Sequence, residues 1–157
     1  MSIQIPNLHT SNKTSVEAGA EVFIRRRQDA QHAGVFLVRG KLSFDPATDD
    51  YPSGTLRIRV DLSDSAKGTF VVKTVEQLDT TGKHTPTAYA TGRCNADVDT
   101  KAVGCRYWLM LADNKREGED QTADVISFLV YDRNGKRVAY GTGPVSKGDV
   151  TIASTGE

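Results

Sequence analysis

The chain has 157 residues, a length typical of one domain rather than two. Its 38% hydrophobic and 25% charged residues are the proportions of an ordinary globular protein and exclude a fibrous or disordered chain. Twenty basic side chains balance twenty acidic ones, so no overall field draws the protein toward nucleic acid or an anionic membrane. We therefore do not expect nucleic acid as a partner, and any charged ligand must be met by a local patch.

The N-terminal residues 1–19 are rich in Ser, Thr and Asn and show little periodicity, which predicts a loosely attached arm. A single domain is expected over residues 20–157. The start, MSIQIP, lacks the features of a signal peptide, and no window is apolar enough to span a bilayer. The default expectation is a cytoplasmic protein, and an extracellular one if a signal peptide was removed or the two cysteines are paired.

In the first half of the chain, strand patterns alternate with loops rich in Asp, Pro and Gly. The predicted strands are Glu21–Arg27, Gly34–Phe44, Thr55–Ser63 and Thr69–Glu76. The third, TLRIRVDLS, alternates apolar and polar residues without interruption. That period predicts a strand with one buried face and one solvent-facing face.

The second half of the chain continues the pattern with more apolar strands. They are Thr87–Cys94, Cys105–Ala112, Val125–Tyr131, Lys136–Gly141 and Val150–Ser154. Asn134 and Gly135 predict a hairpin with a type I′ turn, because both residues tolerate positive φ. In Cys105–Ala112 both alternating sets are apolar, so Tyr107 lies on one face while Trp108 and Met110 lie on the other. Such a strand is either covered on both sides or meets a partner chain.

The strand count decides the fold class. Eight or nine strands with almost no helical pattern predict an all-β protein. We expect an antiparallel β-sandwich of about eight strands, for which a jelly-roll-like topology is one arrangement. A closed β-barrel is the alternative. Either fold presents its loops at the ends of the strands, where ligands are commonly bound.

Oxygen-bearing side chains at alternate positions are typical of a calcium-binding loop. Asn95, Asp97 and Asp99 resemble the first half of an EF-hand loop. Thr100 then stands in place of the required glycine and Arg106 in place of the closing glutamate. These three residues are therefore candidates for part of a calcium site, against the alternative of a polar hairpin loop. No other cofactor is predicted.

Two further sets of residues each have two possible roles. Asp45, Asp49, Asp50 and Tyr51 are candidates for binding a sugar or a cation, although aspartates also cap turns routinely. Cys94 and Cys105 flank a short polar segment and would pair across a hairpin in an oxidising compartment; in a reducing one they remain thiols.

The basic triplet Arg25, Arg26 and Arg27 is the densest cluster of positive charge. It is counted among the candidate interaction residues because arginine binds anions and planar acidic groups well. The alternative is that these charges protect a strand edge against aggregation.

No nucleophile–base pair, phosphate-binding glycine loop or zinc spacing is recognisable, so we expect a binding protein rather than an enzyme. The doubly apolar strands favour a non-catalytic protein that self-associates or docks on a protein partner through Tyr107, Trp108 and Met110, aided by the N-terminal arm. The alternative is a carbohydrate- or calcium-assisted ligand-binding module that uses loop aspartates and aromatic rings.

Overall fold

The structure is a computed structural model that describes residues 13–25, 32–82, 85–98, 101–114 and 122–154. The described residues form ten strands and no helix. The strands are β1 (Thr14–Ile24), β2 (Gly34–Phe44), β3 (Ser53–Leu62), β4 (Gly68–Val72), β5 (Gln77–Thr81), β6 (Thr87–Val98), β7 (Lys101–Ala112), β8 (Val125–Asp132), β9 (Arg137–Pro144) and β10 (Lys147–Ser154). The predicted all-β class is confirmed, and within these ranges no helix is able to span a membrane.

All ten strands belong to one curled sheet. Nine of them follow a single hydrogen-bonded path in the order β10-β1-β2-β3-β4-β6-β7-β8-β9, and β5 pairs with β6 beside β4. The pairings along this path are antiparallel. The end strands β9 and β10 are consecutive in the chain, so the sheet must curl to bring its ends together. At that point Gly143 of β9 faces Val22 of β1.

The core lies on the concave side of the sheet. In β3 the alternating set Leu56, Ile58, Val60 and Leu62 is buried, as the period of the sequence predicts. The two halves of the sheet meet where the ring of Phe36 packs edge-on against that of Phe128, with 4.8 Å between ring centroids. Burying each such apolar side chain stabilises the fold by about 1.5–3 kcal/mol.

The outward edge of β9 is covered by the turn between β3 and β4. The amide of Ala66 donates to the carbonyl oxygen of Val138 at 2.8 Å, and the amide of Tyr140 donates to Ser65 Oγ at 3.4 Å. An open strand edge is a template for unwanted pairing, and here another part of the same chain occupies it. We call this contact the β9 seam.

The outward edge of β10 is covered by carboxylates instead of backbone. The amide of Val150 donates to Asp124 Oδ2 at 3.0 Å, and the amide of Ile152 donates to Asp113 Oδ2 at 3.1 Å. These aspartates flank the segment between β7 and β8, so the second half of the chain closes the edge of its last strand. We call this contact the β10 seam.

The first strand begins earlier than the sequence predicts. Residues 14–19, expected in the arm, form the first part of β1 and pair with both β2 and β10. Thr14 and Val16 are buried there. The sequence does not predict this part of the strand, because its buried positions Ala18 and Ala20 are small and give a weak hydrophobic period. Residues 1–12 lie outside the described residues.

The hairpin between β8 and β9 is confirmed, but its turn is not type I′. The amide of Gly135 donates to the carbonyl oxygen of Asp132 at 3.1 Å, so Gly135 is the last residue of the turn rather than a central one. Its φ of 78° is the left-handed conformation that follows a type I turn in a three-residue hairpin loop. Asp132 Oδ1 accepts from the amides of Asn134 and Lys136, both at 2.9 Å, and fixes this geometry.

Candidate functional site

A shallow cleft on the outer face of β5, β6 and β7 gathers two aromatic rings and several polar groups. It encloses about 270 Å³. Its lining residues are Gln77, Asp79, Tyr89, Ala90, Thr91 and Trp108. We call it the aromatic cleft.

Strand register brings these side chains together. Gln77 pairs with Thr91 and Thr91 with Trp108, which forms one row across three strands; Asp79 pairs with Tyr89 in the next row. Successive residues of a strand point to opposite faces, so both rows lie on the outside while their neighbours enter the core. The sequence does not predict the polar half of the cleft, because Gln77–Thr81 contains one apolar residue, Leu78, and shows no strand period.

The two rings stand at an angle to each other, with 6.2 Å between centroids and 43° between planes. Tyr89 is 36% exposed, and Trp108 is half-buried. Asp79 Oδ1 accepts from the amide of Thr80, while Thr91 Oγ1 donates to the carbonyl oxygen of Tyr107. The second carboxylate oxygen of Asp79 faces no hydrogen-bond donor within the described part of the chain. The cleft thus offers apolar platforms beside a hydrogen-bond acceptor.

The outer apolar surface continues from the cleft onto β8 and β9. Trp108 pairs with Leu129, and Leu129 pairs with Tyr140, so these three form a row; Met110 lies beside Tyr89. The sequence predicted Trp108 and Met110 on one face of β7, and both are half-buried there. Tyr107 lies on the other face at 1% exposure.

Tyr107, expected at an interaction surface, is instead a core residue. Its hydroxyl donates to the carbonyl oxygen of Thr74 at 2.9 Å, which holds the link between β4 and β5 against β6. Burial, with a smaller contribution from the charge of Glu76, raises the pKa of this hydroxyl. Its buried phenol therefore stays protonated and acts as a hydrogen-bond donor.

The acidic loop before β3 has a structural role. Asp49 Oδ2 accepts from the amide of Asp45 at 2.9 Å, and Asp45 Oδ1 accepts from the amide of Ala47 at 3.0 Å, so both carboxylates close the turn. Asp50 is exposed, and Tyr51 is 71% exposed. The residues of this loop do not line the aromatic cleft. Tyr51 borders a different cleft, beside Lys73.

Two of the three calcium candidates lie near the end of a strand rather than in a loop. Asn95 and Asp97 belong to β6, where Asn95 is exposed, and Asp99 lies outside the described residues. Nowhere in the described ranges are three His, Cys, Asp or Glu side chains placed to hold a metal ion together. Of the basic triplet, Arg25 is exposed just after β1, and Arg26 and Arg27 lie outside the described residues.

Cys94 and Cys105 form a disulfide between directly opposed positions of β6 and β7, with 4.9 Å between Cα atoms. The predicted polar loop between them is largely strand, because β6 and β7 extend to Val98 and from Lys101. A disulfide of this kind is compatible with an oxidising compartment.

Two clusters of titratable groups occupy the seams. At the β9 seam, Asp64 accepts a hydrogen bond from the Tyr140 hydroxyl at 2.8 Å and contacts His32, whose ring stacks on that of Tyr140 at 4.1 Å. Burial acts to raise the pKa of Asp64, but the hydrogen bonds from His32 and Tyr140 bring it below its usual value. The same hydrogen bond from Tyr140 to Asp64 raises the pKa of the Tyr140 hydroxyl.

At the β10 seam, carboxylates face one another. Asp124 is 2% exposed and Asp149 lies close enough to share a hydrogen bond with it. Desolvation, followed by that hydrogen bond, raises the pKa of Asp149; desolvation also raises the pKa of Asp113. These groups are committed to the backbone of β10, so we assign them to the fold rather than to a ligand.

Comparison of the chain with protein-family models, with curated proteins and with solved structures finds no match in any of the three.

Proposed function

We propose that the protein is a non-catalytic binding module that takes a carbohydrate in the aromatic cleft. The observation that carries this proposal is the angled pair of Tyr89 and Trp108 beside the carboxylate of Asp79. The C–H face of a pyranose ring is apolar and its rim carries hydroxyls. Aromatic rings can therefore stack on the sugar face while a carboxylate accepts from its hydroxyls.

The shape of the cleft favours a short segment of a glycan. Its volume of about 270 Å³ lies near the lower end of small-molecule sites, and it is open to the surface. The polar and apolar groups lie on adjacent strands of one sheet, so their spacing is fixed by hydrogen bonds rather than by mobile loops. Little conformational entropy is then lost on binding.

Tryptophan fluorescence provides the test, because Trp108 is the single tryptophan of the chain. Titration with a panel of neutral oligosaccharides is expected to change its emission for at least one of them. Tyr89→Ala should weaken that binding about tenfold, equivalent to about 1.4 kcal/mol. Tyr51→Ala removes an exposed tyrosine outside the cleft and serves as the matched control. A flat emission across the panel would overturn the proposal.

A second candidate function is association with another protein molecule through the same outer face. It is favoured by Met110 and Leu129, which extend the apolar surface beyond what a sugar ring needs. Tryptophan and tyrosine are common anchors at the centres of protein interfaces. Light scattering at increasing protein concentration tests for self-association. A dimer that Leu129→Glu dissociates would support self-association through this face. A monomer at every concentration would exclude self-association.

The fold within which these surfaces lie is proposed to be a curled sheet that works as a sandwich, with β1, β2 and β3 facing β7, β8 and β9 across one core. The contact between Phe36 and Phe128 supports that arrangement. The protein's location is proposed to be extracellular, and the disulfide between Cys94 and Cys105 supports this.

A further inference from the structure

Positive charge is concentrated on the outer face of the middle strands, although the chain as a whole is neutral. We define the basic belt as six residues on this face: Arg39, Arg57, Lys73, Arg93, Arg106 and Arg133. All but Arg133 lie on or beside strands β2, β3, β4, β6 and β7, and Arg133 reaches the face from the β8–β9 turn.

Strand register makes the belt continuous. Arg39 pairs with Arg57, and across β4 this row continues to Asn95. In the adjoining row the amide of Lys73 donates to the carbonyl oxygen of Arg93 at 2.8 Å, and Arg93 pairs with Arg106. From β2 to β7 the path crosses four strand spacings of about 4.8 Å each, so the belt is about 19 Å wide measured along the sheet.

The belt borders two open clefts. One, of about 380 Å³, is lined by Lys73, Arg93, Arg106 and Arg133, with Asp132 as its one acidic lining residue. The other, of about 480 Å³, shares Lys73 and Arg93 and is bordered by the exposed ring of Tyr51 and by Glu76, the partner of Arg106. Lys73 and Arg93 therefore stand between two concave surfaces, where both can reach the same extended ligand.

Like charges are placed directly opposite each other twice in this face, at Arg39 with Arg57 and at Arg93 with Arg106. Directly opposed like charges destabilise a sheet. Within the described part of the chain, Arg106 is the one belt residue with a carboxylate partner, Glu76 at 2.6 Å. Protection of strand edges does not explain the arrangement, because β2, β3, β6 and β7 have hydrogen-bonded neighbours on both sides.

A glycine makes room for the sixth cation. The Nε atom of Arg133 lies 2.9 Å from the position that a Cβ atom would occupy at Gly104. Any side chain at position 104 would push the guanidinium aside. The close approach keeps Arg133 over the strand and within the first cleft.

We infer that the basic belt binds a linear acidic polysaccharide, one bearing sulfate or carboxylate groups along its length. A row of cations across the curled sheet, in which Arg106 alone has a carboxylate partner among the described residues, matches a flexible chain with repeated negative charges. Single-stranded nucleic acid is usually held by aromatic platforms between the cations, whereas Val71, Asn95 and Gly104 occupy those positions here. The nearest rings, Tyr51 and Tyr131, stand at the margins of the belt. The disulfide beneath Arg93 and Arg106 fits oxidising compartments, where acidic glycans rather than nucleic acids are abundant.

This inference shares its ligand class with the proposed function and rests on it to that extent, but it uses different residues. The experiment measures binding of the full chain to a sulfated heparin oligosaccharide, to neutral dextran and to single-stranded oligothymidylate, in rising sodium chloride. The double variant Arg57→Gln with Arg93→Gln is compared with a control of equal charge change, Lys136→Gln with Lys147→Gln, which lies outside the belt.

The unmodified chain is expected to bind heparin oligosaccharide in a salt-sensitive manner. The belt variant should bind it about tenfold more weakly and with a shallower salt dependence, and the control less than about twofold more weakly. Gly104→Ala should weaken binding to a smaller extent by displacing Arg133. Circular dichroism checks that each variant keeps its fold, and because Arg57→Gln and Arg93→Gln each relieve a like-charge pair, neither is expected to unfold.

Three results would overturn the inference: no heparin binding at low salt, equal losses in the belt and control variants, or tighter binding of oligothymidylate than of heparin oligosaccharide. The last result would assign the belt to nucleic acid. Tyr89→Ala separates this proposal from the first one, because it keeps Trp108 as the fluorescent reporter. It should weaken the response to neutral sugars about tenfold and leave the heparin titration of the belt unchanged, so each proposal can fail alone.

Discussion

Strands β3 and β7 differ in the character of the side chains on their outer faces. Both bury an alternating set of side chains, with Ile58 1% exposed in β3 and Leu109 0% exposed in β7. Their outer sets are opposite in character, with Arg57 and Arg59 on β3 but Trp108 and Met110 on β7. Core packing requires one apolar face for each strand. The core therefore does not require the apolar pair Trp108 and Met110 on the outer face of β7, which supports our proposal that this part of the face binds a ligand.

The largest expected effect tests whether the fold can do without the apolar outer face of β7. Leu109→Ala removes a fully buried side chain and should lower the free energy of unfolding by about 3–4 kcal/mol. Met110→Ala, its neighbour on the outer face, should cost less than about 1 kcal/mol. Urea unfolding measures both.

The corresponding pair in β3, Ile58→Ala and Arg59→Ala, provides the reference for a one-sided strand. If Met110→Ala costs as much as Leu109→Ala, then a covering layer protects the outer face, and the contrast between the two strands disappears.

The second prediction compares a glycine in each half of the sheet. A Cβ atom at Gly92 in β6 would lie 2.0 Å from the carbonyl oxygen of Thr74 and 3.0 Å from the hydroxyl of Tyr107. Gly92→Ala must therefore push the β4–β5 link off β6, and we expect a loss of about 2–3 kcal/mol.

Gly19 in β1 supplies the matched control, because a Cβ atom there would meet nothing within 4 Å. Gly19→Ala should be neutral or stabilise the protein by up to about 1 kcal/mol, since alanine loses less backbone entropy on folding. Thermal unfolding of the two variants side by side gives the answer. Equal effects would mean that the close approach at Gly92 is not maintained in solution.

These contrasts also show how far the sequence leads. The alternation in Thr55–Ser63 identifies both the strand and its buried face, because polar residues mark the outside. In β7 the same period identifies the strand but not its inner face, since both sets are apolar. Tyr107 and Trp108 were therefore given the same role, and only the packing separates the buried donor to Thr74 from the half-buried ring of the cleft.

Two parts of the candidate sites depend on which strands pair and in which register, and no local sequence pattern contains that information. Asp79 and Gln77 lie near Trp108 because β4 and β5 share one edge of β6. β4 pairs with the later part of that edge, and β5 pairs with the earlier part. The basic belt arises from the register of β2 with β3 and of β6 with β7, which places arginines opposite each other although they are far apart in sequence. A single sequence shows its arginines but not their alignment.

The smallest expected effect concerns the β9 seam, where the two halves of the sheet meet. Asp64→Asn removes the charge that accepts from Tyr140 and contacts His32, and we expect a loss of about 1 kcal/mol at pH 7. Because the pKa of Asp64 is lowered in the folded protein, its charge stabilises the fold above the unfolded value of 3.8. That contribution disappears as the pH falls through the lower folded pKa.

Thermal unfolding from pH 7 down to about pH 2 should therefore show the difference between wild type and Asp64→Asn shrinking toward zero at the acidic end. Asp61→Asn is the control, because within the described residues the Asp61 carboxylate pairs only with an exposed lysine, Lys67, at 3.6 Å, and its loss should change stability little at any pH. A difference for Asp64→Asn that persists at low pH would arise from lost packing rather than lost charge. The stacked rings of His32 and Tyr140 would then hold the β9 seam, and its contribution to stability would not depend on pH.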